Sequence, residues 1–530
     1  MSATRAKRPF LSTLAHATAA PHAAVFALAF TVGCALAWPA FAQNRAETAS
    51  GQTLTSQART TLPRHVLQTL EKAQVPPSAL SVLIAPLPQG PASNSTQPRH
   101  LSHQAQASVN PASVIKLFTT YAGLSLLGPD YVWRNRVYTD GAVRDGVLQG
   151  NLVLRGSGDP KLVVERLQAL MLQIRAAGVR EVRGDIVLDR SVFDVRERSE
   201  PFDDEPLRPY NVGPDGLLLN FKAVVYTFTP DAASGQAQVR FEPPLAGFST
   251  PTQLPLSQGP CSDWRRQLQA DFSQAQQVRF AGRYTASCGE REWPVAYPEP
   301  EAYAPRVMQA LWQQAGGLLT GQVRYGTRPA SVKLLVEAPS LPLSDIIQDI
   351  NKFSNNVMAQ QLYLTLSSEL GAPGRFEASR LRLSQWWRQG FAGHDEPVLD
   401  NGSGLSRTER STAQALTALL QVAHTSPHAR HFVDSLAIAG VDGTAARLKE
   451  RSPQSPVIGN AWLKTGSLRD VASVAGYVKG QSGQRYTLVV VLHHPNAHQA
   501  RAALDQLLEW TVRDTPATRA AAPHKPTNRP

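Results

Sequence analysis

The sequence lacks the patterns that mark several common classes of protein. Its 13 histidines form no H-E-x-x-H pattern, so no metal site is predicted. The glycine-rich turn 156–160 does not continue as G-x-G-x-x-G, because Lys161 occupies the position of the third glycine. This excludes a dinucleotide-binding loop. No basic surface interleaved with aromatic residues is evident, so no nucleic-acid partner is expected.

Long apolar runs are also scarce, and the main one lies near the N-terminus. Three cations precede the apolar run 23–37, and Ala40-Phe41-Ala42 supplies small residues where signal peptidase reads. Residues 1–42 are therefore predicted to be a secretory signal cleaved before Gln43, since the run is short for a membrane span. The alternative is a lipoprotein anchored through Cys34, although the preceding residues lack the usual leucine.

Charge is limited once the chain ends are set aside. The net charge is +12, of which three cations lie in the signal and three in the tail 515–530, leaving +6. The Pro/Ala-rich tail is predicted to be disordered. The remaining charge is compatible with peripheral membrane or cell-wall association.

Cysteine is rare, with three in 530 residues. Removal of the signal leaves Cys261 and Cys288, and an even pair in an exported protein predicts one disulfide. The alternative is two free thiols.

A chain of 530 residues, 42% of them hydrophobic, exceeds one ordinary core, so two or three domains are expected. Hydrophobic periodicity predicts a mixture of helices and strands, with a β-rich stretch over 206–286. The predicted helices cover 63–73, 162–177, 301–314, 343–350, 357–366, 376–389, 411–424 and 498–512. The predicted strands cover 79–85, 147–154, 184–189, 318–325, 332–336, 457–464, 471–478 and 486–493.

The stretch from Asn110 to Lys116 predicts the start of a helix with a buried face. Asn110 suits the N-cap and Pro111 the first helical position. Ser113 then lies in the first turn with Lys116 one turn on, where a neutral amine can take the hydroxyl proton. The alternative is a capped helix with a solvated lysine. The residues predicted on the buried face are Val114, Leu117, Phe118, Tyr121 and Leu124.

A second candidate segment, Ser354-Asn355-Asn356, falls between two predicted helices. Ser354 can carry a proton between Lys116 and a leaving amine. Asn356 can hold the lysine and donate to a substrate amide oxygen. The alternative is an ordinary helix cap.

A third segment, Lys464-Thr465-Gly466-Ser467, begins at the end of a predicted strand. Lys464 and Thr465 can bind a terminal carboxylate, and Gly466 leaves room for a substrate backbone. A second cation here would also lower the pKa of Lys116. The alternative is a turn after a strand.

Taken together, the ordered motifs Ser-x-x-Lys, Ser-x-Asn and Lys-Thr-Gly resemble those of the class C low-molecular-mass penicillin-binding proteins, the D-alanyl-D-alanine carboxypeptidase/endopeptidases. The intervals are 241 residues from Ser113 to Ser354 and 110 from Ser354 to Lys464. The long first interval resembles this family's arrangement of inserted domains. Residues 156–160, 400–406 and 440–444 also resemble family segments.

The resemblance implies an α/β (α+β) fold, with a penicillin-binding-protein/β-lactamase-like transpeptidase domain whose antiparallel sheet is flanked by helices. It also implies two nested, β-rich insertions. The implied division is a signal at 1–42, a catalytic domain at 43–139 and 338–514, inserted domain II at 140–205 and 290–337, β-rich domain III at 206–289, and a tail at 515–530.

The implied activity is that of a periplasmic serine-type D-Ala-D-Ala carboxypeptidase, with endopeptidase activity on peptidoglycan cross-links as a further expectation. Ser113 would form an acyl-enzyme, with an oxyanion hole of the Ser113 and Ser467 N–H groups and no metal or cofactor. β-Lactams would inhibit it covalently. A β-lactamase or esterase of the same fold and a non-catalytic envelope-binding protein are the alternatives, and the preference between carboxypeptidase and endopeptidase stays open.

Overall fold

A computed structural model describes residues 61–88, 98–195 and 201–515. The predicted signal and nearly all of the predicted tail lie outside these ranges. None of the helices within them has the length and apolar character needed to cross a bilayer.

Helices and strands alternate along the described chain. The α-helices are α1 (Arg64–Lys72), α2 (Lys116–Leu127), α3 (Val164–Ala176), α4 (Trp264–Gln267), α5 (Pro300–Gln314), α6 (Leu343–Lys352), α7 (Asn356–Ser368), α8 (Phe376–Gly390), α9 (Ala413–Thr425), α10 (Ala429–Asp434), α11 (Arg447–Arg451) and α12 (Ala502–Val512).

The strands form five sheets. They are β1 (Leu80–Pro86), β2 (Leu101–His103), β3 (Arg134–Thr139), β4 (Ala142–Arg144), β5 (Val147–Gln149), β6 (Leu152–Arg155), β7 (Glu181–Val182), β8 (Ile186–Asp189), β9 (Ala223–Asp231), β10 (Gln236–Glu242), β11 (Gln253–Ser257), β12 (Ala270–Gln274), β13 (Gln277–Phe280), β14 (Tyr284–Thr285), β15 (Arg291–Ala296), β16 (Leu318–Leu319), β17 (Val323–Tyr325), β18 (Lys333–Pro339), β19 (Ala437–Ile438), β20 (Ala461–Leu468), β21 (Val471–Lys479) and β22 (Arg485–His493).

The largest sheet has the order β19-β20-β21-β22-β1-β2, and every pairing in it is antiparallel. Both faces are buried, which explains the continuous apolar run in β22. Leu488 and Val490 pack towards α1 and α12, whereas Val489 and Val491 pack towards the opposite helical layer containing α2, α7 and α9. The predicted antiparallel sheet flanked by helices is confirmed.

The predicted strand 457–464 is wrong in its limits, because β20 begins at Ala461 and continues to Leu468. Val457 is buried but belongs to a turn, in which the Asn460 N–H donates to the Val457 carbonyl at 2.9 Å. Gly459 within this turn has φ +74°. The apolar pair Val457-Ile458, next to Gly459, therefore has the hydrophobic pattern of a strand although it lies in a turn. As a result the Lys-Thr-Gly motif lies inside β20 rather than at its end.

Residues 134–339 form the other four sheets. Strands β3 and β18, at the two ends of this region, pair with each other in the sheet β17-β8-β6-β3-β18. The β-rich stretch contributes the sheet β14-β11-β10-β9-β15. Buried side chains from both sheets belong to one hydrophobic cluster.

The two cysteines of the β-rich stretch are joined. Cys261 and Cys288 form a disulfide with an S–S distance of 2.05 Å, closing a loop with a sequence separation of 27. This bond lies far in sequence from the three candidate motifs.

Candidate active site

The Ser113 turn differs from the predicted helix start. A short 3₁₀ helix covers Ala112–Ile115, and α2 begins at Lys116. Asn110 is not the N-cap, a position that Pro111 occupies. The Asn110 side chain instead accepts a hydrogen bond through Oδ1 from the Ala112 N–H at 2.9 Å. Ala112 has φ +48°, a left-handed conformation that non-glycine residues adopt at local cost. Ser113 therefore lies on a tight turn ahead of α2.

The predicted buried face of this segment is confirmed. The five apolar side chains predicted to be buried are all at most 5% exposed. They anchor α2 against α6, α7 and α8. The turn carrying Ser113 is thus fixed to the core through the helix that follows it.

Lys116 is fully buried and makes three polar contacts. Its Nζ donates to Ser113 Oγ at 3.0 Å, to Asn356 Oδ1 at 2.7 Å and to the Ser403 carbonyl. Burial lowers the pKa of Lys116 to about 7, and the negative charge of Glu409 opposes that shift. Burial is therefore the main cause of the lowered pKa of Lys116.

Lys464 is also fully buried, but it contacts a different hydroxyl. Its Nζ donates to Ser354 Oγ and to the Thr465 carbonyl, both at 2.8 Å. Burial and then the charge of Lys116 lower the pKa of Lys464. Ser354 lies between α6 and α7 with φ +59°. The described hydrogen bonds link Ser354 to Lys464, not to Lys116 as the relay predicted from sequence would require.

The side chain of Asn356, the first residue of α7, is held at both ends. Its Oδ1 accepts from Lys116, and its Nδ2 donates to the Tyr210 carbonyl at 3.2 Å. Asn355 supplies the cap of α7 by accepting from the Met358 N–H at 3.1 Å. A hydrogen bond from Asn356 Nδ2 to a substrate would therefore compete with its hydrogen bond to the Tyr210 carbonyl, which lies in the region before β9.

The Thr465-Gly466-Ser467 segment lines the outer edge of β20. Thr465 Oγ1 donates to Thr444 Oγ1 at 2.7 Å, and the Ser467 side chain is exposed. Strand β19 pairs only with Trp462 and Leu463 on this edge. Among the strands of the described chain, none pairs with the same edge from Lys464 to Leu468.

Gly466 also permits a close approach that the sequence did not suggest. A Cβ there would lie 2.2 Å from Ser473 Oγ, 2.8 Å from the Pro111 carbonyl and 3.1 Å from the Ser113 nitrogen. The space beside Gly466 is thus filled by the Ser113 turn. The glycine allows β20 to approach the candidate nucleophile closely.

Several site residues had no role assigned from the sequence. The segments 400–406 and 440–444 were recognised only as family-like, yet they supply Ser403 and Thr444 to the site. Tyr210 and Ser403 act through backbone carbonyls, which leave no side-chain signal in a sequence. Within the described ranges, no group of three or more His, Cys, Asp or Glu side chains is arranged to hold a metal ion.

Two sequence relatives and one solved structure are similar over most of their lengths. The D-alanyl-D-alanine carboxypeptidase DacB of Haemophilus influenzae is 26% identical over 400 residues, 71% of this chain and 79% of the relative. The D-alanyl-D-alanine carboxypeptidase of Actinomadura sp. is 29% identical over 416 residues, 74% of each chain. The crystal structure of penicillin binding protein 4 (dacB) from Haemophilus influenzae superposes with a TM-score of 0.66 at 22% identity. It covers 84% of this chain and 99% of the other, which establishes a shared fold.

The family assignment follows from a match over the whole region that contains the three motifs. Residues 92–513 match the D-Ala-D-Ala carboxypeptidase 3 (S13) family, and this range includes Ser113, Ser354 and Lys464. The match covers well over half of the 530 residues. The chain belongs to the D-Ala-D-Ala carboxypeptidase 3 (S13) family.

Proposed function

We propose that Ser113 is the nucleophile of a serine-type D-Ala-D-Ala carboxypeptidase reaction and that Lys116 is its general base. The observation that carries the proposal is the 3.0 Å contact between Lys116 Nζ and Ser113 Oγ, made by a lysine whose pKa is lowered to about 7. At neutral pH a substantial share of such a lysine is an uncharged amine able to accept the hydroxyl proton.

In the proposed reaction, Ser113 Oγ attacks the carbonyl between the two D-alanines as its proton passes to Lys116. The peptide C–N bond then breaks and the leaving amine takes a proton through Ser354, which is replaced by the proton held on Lys116, so that Lys116 is again an uncharged base. Water hydrolyses the resulting ester and restores the Ser113 hydroxyl. Ser354 is proposed to deliver the proton to the leaving amine, and its contact with Lys464 supports a connection to a second buried amine.

The substrate is proposed to lie along the open edge of β20, where a peptide can add as an extra strand. The N–H groups of Ser113 and Ser467 would stabilise the tetrahedral oxyanion, each contributing about 3 kcal/mol as in other acyl-transfer enzymes. Lys464 and Thr465 would bind the terminal carboxylate by charge and hydrogen bonding. Asn356 would fix Lys116, as its 2.7 Å contact supports.

We also propose the nested domain arrangement expected from the sequence. Pairing of β3 with β18 supports an insertion that leaves and re-enters the catalytic part at adjacent points, and it groups β3 with the insertion. Pairing of β15 with β9 likewise groups Arg291–Ala296 with the β-rich domain III. The hydrophobic cluster shared by both inserted parts favours one rigid unit.

Export to the periplasm, with cleavage before Gln43 and peripheral association with the membrane or cell wall, belongs to the same proposal. N-terminal sequencing of the exported protein should begin at Gln43. A mature chain lipidated at Cys34 would contradict the cleavage site and replace it with a lipoprotein anchor.

The activity is tested by incubating the full chain with an acylated peptide ending in D-Ala-D-Ala and with cross-linked muropeptides. We expect release of D-alanine from the first, cleavage of the second, and loss of both in Ser113→Ala. Ser234→Ala, on an exposed hairpin turn, is the matched control and should retain both. No release by the wild type, or rapid hydrolysis of penicillin in its place, would contradict the proposal.

A further inference from the structure

Glu409 is a fully buried carboxylate that none of the three motifs includes. Its Oε1 accepts from the N–H groups of Asp400, Asn401 and Gly402 at 3.1, 3.1 and 2.8 Å, and its Oε2 accepts from the Gly404 N–H at 2.9 Å. Four backbone donors on one carboxylate define the conformation of the whole loop. We call residues 400–404 the carboxylate loop.

Because its N–H groups point to Glu409, the carboxylate loop turns two carbonyls towards α2. The Gly402 carbonyl accepts from Thr119 Oγ1 at 2.7 Å, and the Ser403 carbonyl accepts from Lys116 Nζ. The loop therefore contacts α2 at two positions, at Lys116 and at Thr119 almost one turn later. Two contacts on one helix fix the position of the Ser403 carbonyl relative to Lys116.

The carboxylate loop also supports the nucleophile. At Gly404, which has φ +82°, a Cβ would lie 2.4 Å from the Ala112 carbonyl and 2.7 Å from Ser113 Cα. The loop backbone thus packs directly against the turn that carries Ser113. Movement of this loop would displace both members of the reacting pair.

We propose that Glu409 is a positioning residue for the general base. It holds the carboxylate loop so that the Ser403 carbonyl directs Lys116 Nζ towards Ser113. This inference rests on the proposed function of Ser113 and Lys116. Glu409 does not contact the reacting hydroxyl, so it acts through the loop.

The charge of Glu409 gives this role a signature in the pH profile. Its negative charge raises the pKa of Lys116 against the effect of burial, and the neighbouring amine is Lys464 on β20, whose own pKa is lowered by burial and by the charge of Lys116. Without the carboxylate, the pKa of Lys116 falls further. The uncharged base then persists to lower pH, even as the loop that directs it loosens.

Three titratable or charged groups lie around Glu409 itself. Asp400 raises the pKa of the Glu409 carboxyl, and burial raises it more, whereas the backbone N–H donors oppose the shift. Tyr363 on α7 and Arg380 on α8 also lie near Glu409. The charge of Glu409 raises the pKa of the Tyr363 hydroxyl, and the charge of Arg380 lowers it. Four N–H groups directed at two oxygens favour the ionised carboxylate, because a proton on either oxygen would face a donor.

The experiment measures the rate constant for acylation by a fluorescent penicillin across the pH range around neutrality, with the label located on Ser113 by peptide mapping. For Glu409→Gln we expect a plateau rate constant lower by roughly 10- to 100-fold, because small displacements of reacting groups cost this much. We also expect the midpoint of the acidic limb to move to lower pH. A rate constant is read only from molecules that react, so partial misfolding does not imitate the effect.

Two further variants separate charge, position and folding. Glu409→Asp keeps the charge but shortens the reach, so its rate should fall while its pH midpoint stays near that of the wild type. If Glu409→Gln does not fold, the acylation rate constant of Glu409→Asp tests the inference instead. Glu396→Gln removes an exposed carboxylate that pairs with Arg388 and should leave both quantities unchanged.

The inference is overturned if Glu409→Gln matches the wild type, or if its rate falls with an unmoved pH midpoint, which would indicate structural support alone. A wild-type rate constant in Glu409→Asp would overturn it as well. If the wild-type chain itself is not labelled at Ser113, the proposed function fails instead, and the two failures are thereby distinguished.

Discussion

At the residue scale, the candidate site contains two buried amines, Lys116 in contact with Ser113 and Lys464 in contact with Ser354. Burial disfavours the charged form of both, so each is a stronger candidate for proton transfer than a solvated lysine. Their hydrogen bonds divide the site into a Ser113–Lys116 half and a Ser354–Lys464 half. The first half suits attack and the second suits departure of the amine.

The first prediction concerns the pH dependence of acylation. Below its pKa Lys116 is an ammonium ion and accepts no proton, so the acylation rate constant should rise with pH through about 7. Stopped-flow acylation with a labelled penicillin at a series of pH values measures this limb. A rate constant independent of pH in this range would show that Lys116 is not the titrating base.

The second prediction concerns Lys464→Ala. A bound substrate carboxylate would favour the ammonium form that burial disfavours, so loss of this proposed hydrogen-bond donor should lower kcat/KM for D-Ala-D-Ala peptides by roughly 10- to 100-fold. Lys479→Ala, at the exposed end of β21, provides the control. Steady-state kinetics and thermal melting should show a larger effect on turnover than on folding, and an unchanged kcat/KM would exclude carboxylate binding.

At the residue scale, sequence reasoning identified the side chains of the candidate site but not the backbone carbonyls that contact them. Ser113, Lys116 and Asn356 were predicted as one group, and Lys116 contacts both of the others. The carbonyls of Tyr210 and Ser403 depend on long-range loop conformation, which residue identity does not reveal. Glu409 was assigned no role from the sequence, because nothing in the neighbouring residues signals its burial.

At the element scale, the site depends on how closely strand β20 approaches the Ser113 turn. Ser473 Oγ on β21 donates to the Pro111 carbonyl at 2.7 Å, and Gly466 leaves no side chain between them. The element types were predicted correctly here, whereas the limits of β20 and the start of α2 were not. A turn containing Gly459 and a left-handed Ala112 decide those limits, and both are set by tertiary packing.

The third prediction is that Gly466→Ala separates β20 from the Ser113 turn. A Cβ 2.2 Å from Ser473 Oγ and 2.8 Å from a carbonyl requires the strand to shift, so acylation should slow by about tenfold or more. Overpacking should also lower the free energy of unfolding by about 1–3 kcal/mol. Gly390→Ala, which meets nothing within 4 Å, is the control. Acylation at the wild-type rate would show that close approach is not required.

On the scale of the whole molecule, the main hydrophobic clusters of the six-stranded sheet and of the region 134–339 are distinct, and a small cluster of Val212, Leu218, Ala296 and Val357 connects the two parts. The overall class, an antiparallel sheet between helical layers with β-rich insertions in the chain, was implied by the family resemblance of the three motifs. Composition changes could not locate the exact domain boundaries, because the sequences of β3 and β18 are equally compatible with the catalytic part and with the insertion. Their assignment depends on pairing partners 194 or more positions apart in the chain, as in Thr139 with Lys333.

The fourth prediction concerns the disulfide in this region. Replacing Cys261 and Cys288 together by serine should lower the free energy of unfolding by about 3 kcal/mol, since the bond restricts the unfolded chain. Penicillin labelling of the folded variant should persist, because the bond is remote from the three motifs. Urea denaturation measures the first effect and mass analysis of the penicillin adduct measures the second, while non-reducing peptide mapping checks the bond in the wild type. Two free thiols in exported protein would contradict the prediction.

The central claim is that Ser113 attacks the substrate, and the most direct measurement is the site and number of covalent penicillin adducts. A β-lactam presents an amide and a carboxylate in a geometry like that of D-Ala-D-Ala, and its leaving group stays tethered, so the acyl-enzyme should persist. Mass analysis should show one adduct per chain on the peptide carrying Ser113. It should be absent in Ser113→Ala and in Lys116→Ala, both still folded. An adduct elsewhere, or one undiminished in Ser113→Ala, would contradict the account.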